Sequence, residues 1–308
     1  MGISQYIKEI GRGKDGARAL SREQAMDLFG QVLDGAVTDL EIGAFCIAMR
    51  VKGETPEEMA GFLDAMYTRM HRVPESPVPI AVLPSYNGAR KLPLLTPLLA
   101  TLLARQGLPV LIHGTPTENS RVFVSDVLGA LGLQPMREVH SIAPHEVGFL
   151  PTEVLCPALK RLLDVRRAIG LRNSSHSLVK LMNPCAGDAV VVGSYTHPEY
   201  AVSMADVYTL MGSTAMLLRG TEGEPVADPR RVREMVGFVR GRRIELEPGQ
   251  KGTVTELPEL PTGTAPEATA AYIREVLSGM QPVPAPIALQ VEHIVRLART
   301  RANQETAQ

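Results

Sequence analysis

The stretch Ile80-Ala-Val-Leu-Pro-Ser-Tyr-Asn-Gly-Ala-Arg-Lys-Leu-Pro-Leu-Leu-Thr-Pro-Leu-Leu-Ala-Thr-Leu-Leu-Ala-Arg-Gln-Gly-Leu-Pro-Val-Leu-Ile112 reads as strand, loop, helix and strand. Residues 80–83 and 108–112 are short apolar runs. Between them Leu94, Leu95, Leu98, Leu99, Leu102 and Leu103 recur at three and four residues, the spacing of one buried helix face, and Gly107 stands where a helix C-terminus favours glycine. The loop 84–91 has turn chemistry: Pro84 fixes φ, Asn87-Gly88 tolerates positive φ, and Arg90-Lys91 places two cations beside exposed amides. A cationic loop feeding a helix N-terminus suits an anion. An ordinary strand-to-helix connection with solvated charges has the same pattern.

Outward from this unit the alternation continues. Residues 189–192 and 215–218 are further apolar runs, and 121–131 and 198–211 are helix-period segments closed by Gly132 and Gly212. Continuously apolar strands alternating with helices predict an α/β fold with a mainly parallel central sheet, covered on both faces. Ligands of such sheets bind at the strand C-terminal ends, which points to the loops 84–91, 113–120 and 219–229. The chain before Pro74 is different. Ser21-x-x-Gln24, Thr38-x-x-Glu41 and Thr55-Pro56-x-Glu58 fit capping boxes, Gly35 and Gly53 close two helices, and Met59, Phe62, Leu63 and Met66 form one apolar stripe. The expected organisation is a small all-helical domain, 1–73, joined by a helix near 153–170, followed by an α/β domain, 80–308. So thin a helical layer is expected to pack on the larger domain and on a second copy of the chain.

Charge narrows the function. Lys and Arg number 32 against 33 Asp and Glu, so no global field marks a nucleic-acid binder and any such role must come from local clustering. Such clustering exists: 160–180 holds Lys160, Arg161, Arg166, Arg167, Arg172 and Lys180 with Asp164 as its one acid, the strongest local sign of a polyanion partner. Within the helix 156–170, Leu159, Leu162, Leu163 and Ile169 share one side and Arg166 sits among them, so its guanidinium must find an anion, either an internal carboxylate or a ligand. Arg230, Arg231, Arg233, Arg240, Arg242 and Arg243 read as a solvated face. The acids Glu222, Glu224 and Asp228 make a poor metal set, because Pro225 divides them. No cofactor or metal is expected. His113, His145, His176 and His197 lack motif partners and read as structural or solvated. Cys46, Cys156 and Cys185 read as buried free thiols. The amphipathic N-terminus lacks the core of a signal peptide and no apolar run reaches spanning length, so a cytoplasmic protein is expected.

A family resemblance rests on Gly107-Leu-Pro-Val-x-x-His113-Gly114, Ser125-Asp-Val-Leu-x-Ala-Leu-Gly132, Val165-Arg-Arg-x-x-Gly-x-Arg172 and Met182-Asn-Pro184. The chain resembles the anthranilate phosphoribosyltransferase fold, shared by pyrimidine nucleoside phosphorylases. In that family a G-T-G-G-D loop and an N-x-S-T hold phosphoribosyl pyrophosphate, and a D-E pair holds magnesium. Here the loop falls on Pro84-Ser85-Tyr86-Asn87-Gly88, the N-x-S-T on Leu94-Leu-Thr96-Pro97, and the D-E pair on Pro225-Val226. The family's K-H-G-N keeps His113 but has Ile112 for its Lys and Thr115 for its Asn, and Arg166 matches an anthranilate-contacting Arg. The resemblance therefore implies a vestigial cleft of Ser85, Asn87, Gly88, Thr96, His113, Arg166, Glu222 and Glu224, with no assignable catalytic residue.

Ile10-Gly-Arg-Gly-Lys14, Pro84 to Lys91, Arg172-Asn-Ser-x-His176 and Gly220-Thr-Glu-Gly-Glu224 resemble more narrowly a YbiB-type branch of the fold. That likeness implies a homodimer, paired through the helical domain, binding DNA or RNA largely without sequence preference. Backbone contacts would come from Lys160, Arg161, Arg167, Arg172, Lys180, Arg90 and Lys91. The competing expectation is a glycosyltransferase, moving a phosphoribosyl or pentosyl group onto another substrate, which Arg166, His113, Glu222 and Glu224 motivate. A small-molecule sensor is a third.

Overall fold

The computed structural model describes residues 2–254 and 257–305. Five helices come first: α1 (Ser4–Ile10), α2 (Gly13–Gly16), α3 (Arg22–Leu33), α4 (Asp39–Lys52) and α5 (Pro56–Tyr67). All three capping boxes form, with the Ser21, Thr38 and Thr55 hydroxyls accepting from the amides of Gln24, Glu41 and Glu58. Glu58 does more than cap: it is fully buried, accepts from the Leu20 amide at 2.9 Å and pairs with Lys52 at 2.6 Å. Phe29, Phe45 and Phe62 fill the centre of this layer, with ring centroids 4.7 to 6.4 Å apart.

The remaining elements are β1 (Ile80–Ser85), α6 (Thr96–Arg105), β2 (Val110–Gly114), α7 (Val124–Leu131), β3 (Val147–Pro151), α8 (Thr152–Leu155), α9 (Pro157–Ile169), α10 (Ser175–Leu178), β4 (Ala189–Ser194), α11 (Pro198–Leu210), β5 (Ala215–Leu218), β6 (Met235–Val239), β7 (Arg242–Glu247), α12 (Pro266–Ser278) and α13 (Ala285–Glu305). The sheet runs β3-β2-β1-β4-β5-β6-β7, with the first five strands parallel and the last two antiparallel. This is the expected α/β class with a mainly parallel sheet.

Strand alternation divides the core in two. Ile80, Val82, Val191, Leu217 and Phe238 point into the cluster that contains the three phenylalanines, so the helical layer and one sheet face share a continuous interior. Ala81, Leu83, Val190, Val192 and Leu218 face α6, α12 and α13 on the other side. Cys46, Cys156 and Cys185 are buried free thiols. No helix among the described residues is long and apolar enough to cross a membrane.

Part of the arginine run read as a solvated face is the β6–β7 hairpin. Arg240 and Gly241 both take positive φ, as a tight two-residue hairpin turn requires, and the exposed Arg242 and Arg243 lie on the last strand, where charge discourages edge pairing.

Candidate anion cleft

The loops after β1, β2, β4 and β5 meet at the C-terminal edge of the sheet. Ser85 ends β1, and the chain then turns at Gly88, whose φ is +68° and where a Cβ would meet the Val122 carbonyl at 2.9 Å. The turn leaves the amides of Asn87 and Gly88 pointing the same way, an arrangement that favours an anion. The anion is the chain's own. Both amides donate to Glu224 Oε1 at 2.8 Å, while the Ser85 hydroxyl and, at 3.3 Å, the Thr96 hydroxyl donate to Oε2. Glu224 is 2% exposed.

Glu222 completes the closure. Its carboxylate accepts from the amides of Arg90 at 2.7 Å and Lys91 at 3.2 Å, and its carbonyl accepts from Asn87 Nδ2 at 2.8 Å. To make this contact Glu222 adopts φ +52°, unusual for a residue with a side chain, and Gly223 follows at +85°, where a Cβ would strike Asn87 Nδ2. Beneath the turn the buried Lys180 donates to the carbonyls of Ser194 at 3.2 Å and Gly223 at 3.0 Å. Burial pulls its pKa down to about 8, with the Glu224 charge opposing the fall.

A second internal carboxylate holds Arg166. Its guanidinium donates to Glu118 at 2.7 Å and to the Thr117 hydroxyl at 3.4 Å, and Glu118 also pairs with Arg121. Burial works against the Glu118 carboxylate, but Arg166 and Arg121 hold its pKa below the usual range. Nearby, His113 Nδ1 lies 2.8 Å from the Tyr86 hydroxyl, itself 2.9 Å from Thr152 Oγ1. Burial pushes His113 down to about 3, so it is neutral, and its Nε2 and the Thr115 hydroxyl have no hydrogen-bond partner among the described residues.

Of the residues read from the sequence, Ser85, Asn87, Gly88, Thr96, Glu222 and Glu224 converge on one cradle, with Arg166 and His113 beside it. The cations do not form one surface. Lys160 and Arg167 flank Asp164 on α9, Arg161 donates to the Leu33 carbonyl of α3 at 3.3 Å, and Arg90 and Lys91 are exposed at the cradle's rim. Arg172 is half-buried. Lys180 must be corrected: its ammonium is buried against carbonyls and offers nothing to a backbone phosphate. Glu118, Arg121 and Arg50 were missed. Arg121 opens the helix-period segment 121–131, so its position by the loops was visible in outline, but no local signal marked Glu118.

The helical-bundle domain of a glycosyl transferase family matches residues 4–70. The uncharacterized protein YbiB of Escherichia coli K12 is 40% identical over 300 residues, 94% of this chain and 92% of YbiB. The anthranilate phosphoribosyltransferase of Methylobacterium nodulans is 30% identical over 284 residues, 89% of this chain and 82% of that enzyme. In structure, the anthranilate phosphoribosyltransferase (TrpD) of Thermus thermophilus superposes with a TM-score of 0.72 over 97% of this chain and 89% of its own, at 24% identity, a likeness of fold. The chain thus belongs to the anthranilate phosphoribosyltransferase-like glycosyl transferase family. Its cradle is filled by its own carboxylates.

The family's magnesium does not fit the residues present. Pro225 and the fully buried Val226 stand at the positions of the acidic pair, and no group of three or more His, Cys, Asp or Glu converges among the described residues.

Proposed function

We propose that this chain is a self-associating nucleic-acid-binding protein on a glycosyl transferase scaffold, holding backbone phosphates with surface arginines and lysines. The observation that carries the reading is Glu224 in the phosphate cradle. A ligand diphosphate would have to displace a carboxylate bonded to Asn87, Gly88, Ser85 and Thr96, leaving it buried and unpaired. The cations outside the cradle remain open to a partner: Arg90 and Lys91 at its rim and Arg161 and Arg167 on α9 are exposed. Phosphate contacts of this kind carry no sequence information. Support for self-association is the stripe Leu40, Ile47 and Val51 on α4, which is 84%, 41% and 56% exposed and shares one helix face.

Random-sequence oligonucleotides titrated by fluorescence anisotropy test the reading. Affinity should fall log-linearly with salt, and replacing Lys160, Arg161 and Arg167 by Gln should weaken all sequences alike and flatten the slope by about 0.9 per lost contact. Binding indifferent to salt and to those replacements would remove the proposal.

A second reading, glycosyl transfer to another substrate, is favoured by relatives named as phosphoribosyltransferases and by the unpartnered His113 Nε2 and Thr115 hydroxyl beside Arg166. It requires the Glu222–Glu224 turn to swing out when a donor binds.

A further inference from the structure

A cavity of about 500 Å³ adjoins the filled cradle, sharing Lys180 and Ser194 with its underside, between the end of α4, the segment 172–180 and the start of α11. We propose that it takes the phosphomonoester of a nucleotide, either free or at the 5′ end of a strand. The inference deepens the phosphate-binding reading above and rests on it.

Buried polar groups without partners line the cavity. His176 Nδ1 lies 3.3 Å from the Asn173 amide and 3.2 Å from Asn173 Oδ1, so Nδ1 is met in either tautomer. Burial, then Arg172 and Arg166, keep the ring neutral. Its Nε2 has no partner among the described residues, although His176 is only 8% exposed. Unmet buried polar atoms are rare in proteins and call for an explanation, and a phosphate oxygen at Nε2 would select the tautomer protonated there. Arg172, beside it, makes no side-chain hydrogen bond or ion pair among the described residues. Arg166 and Arg121 repel it and Glu118 attracts it more weakly. Arg50 reaches across from α4, donating to the Arg172 carbonyl at 3.3 Å, and brings a second guanidinium to the same wall.

Two further features fit a nucleotide rather than a bare ion. The thirteen-residue α11 begins at Pro198, and its first turn lines the cavity, placing the positive end of the helix dipole near the guanidinium side. His197 and Tyr200, with ring centroids 6.5 Å apart, stand at the mouth, and Tyr200 is exposed enough to stack on a base. Glu54 and Glu199 at the rim disfavour a larger anion load, which suits one phosphate better than a triphosphate.

Calorimetry with adenosine 5′-monophosphate, inorganic phosphate and adenosine, alongside anisotropy with 5′-phosphorylated and 5′-hydroxyl forms of one oligonucleotide, tests the pocket. The monophosphate should bind, phosphate more weakly, and adenosine not measurably. Arg172→Gln and His176→Asn should each weaken the monophosphate by about tenfold or more, the worth of a charge-assisted contact. Thermal unfolding of each variant separates lost binding from lost fold, and if either variant unfolds the ligand comparison alone decides. No heat with the monophosphate together with equal binding of the two oligonucleotides overturns the pocket, as does binding unchanged in both folded variants. Salt-dependent oligonucleotide binding without a 5′-phosphate preference and without monophosphate heat overturns the pocket and keeps the surface reading. Monophosphate binding without any oligonucleotide binding overturns the surface reading and keeps the pocket, as a free-nucleotide site.

Discussion

Replacing Glu224 by Ala should destabilise the protein and at the same time uncover its cradle. The lost carboxylate accepts from the Asn87 and Gly88 amides and the Ser85 and Thr96 hydroxyls, and its charge balances buried Lys180. Each buried donor left unmet costs about 1–3 kcal/mol. Water entering the vacated space satisfies some of the four donors, so the net loss expected is about 3–5 kcal/mol. In a chain of this size that lowers Tm by roughly 5–8 °C. Inorganic pyrophosphate should then stabilise the variant, by about 2.7 kcal/mol at a hundredfold excess over its Kd, and the parent clearly less. Differential scanning calorimetry with and without pyrophosphate reads both effects. A loss below about 1 kcal/mol, or equal stabilisation of parent and variant, refutes the account of Glu224 as the cradle's resident anion.

Other perturbations follow from the same geometry. Asp164→Asn should raise nucleic-acid affinity a few-fold in an anisotropy titration, because Asp164 pairs with both Lys160 and Arg167 and holds their charge from a phosphate. The proposed self-association predicts that Ile47→Glu shifts sedimentation toward the monomer, since Ile47 lies in the exposed stripe of α4. Acid should destabilise the fold: His113 and His176 are held to about 3 from an ordinary 6.5, so stability is full above about pH 6.5. Below that the unfolded chain binds the extra protons, and denaturant melts should lose roughly 1.4 kcal/mol per pH unit for each histidine, down to the folded values.

The helical layer was legible because its signals are local. Ser21, Thr38 and Thr55 each reach only three residues ahead, and each box formed. The parallel strands were legible where both faces are buried, as in Ile80–Ser85 and Ala189–Ser194, whose residues are all buried. Strand β3 escaped because Gly148 and Pro151 interrupt a five-residue run, and β7 because an edge strand carries its charges outward.

At the cleft, loop 84–91 announced an anion but not its source. Glu224 lies 137 residues beyond the Asn87 amide it accepts from, and Glu118 lies 48 before Arg166, distances over which spacing carries no information. Lys180 misled for a related reason. Its sequence neighbourhood is basic, while its burial is set by the carbonyls of Ser194 and Gly223, which only the packed sheet brings to it.

Titrating the parent protein calorimetrically with phosphoribosyl pyrophosphate and magnesium tests the central claim most directly. In protein presaturated with adenosine 5′-monophosphate, which fills the neighbouring pocket, Glu224 seated on the Asn87 and Gly88 amides predicts heats of dilution alone. A saturable, stoichiometric heat would contradict it and favour glycosyl transfer.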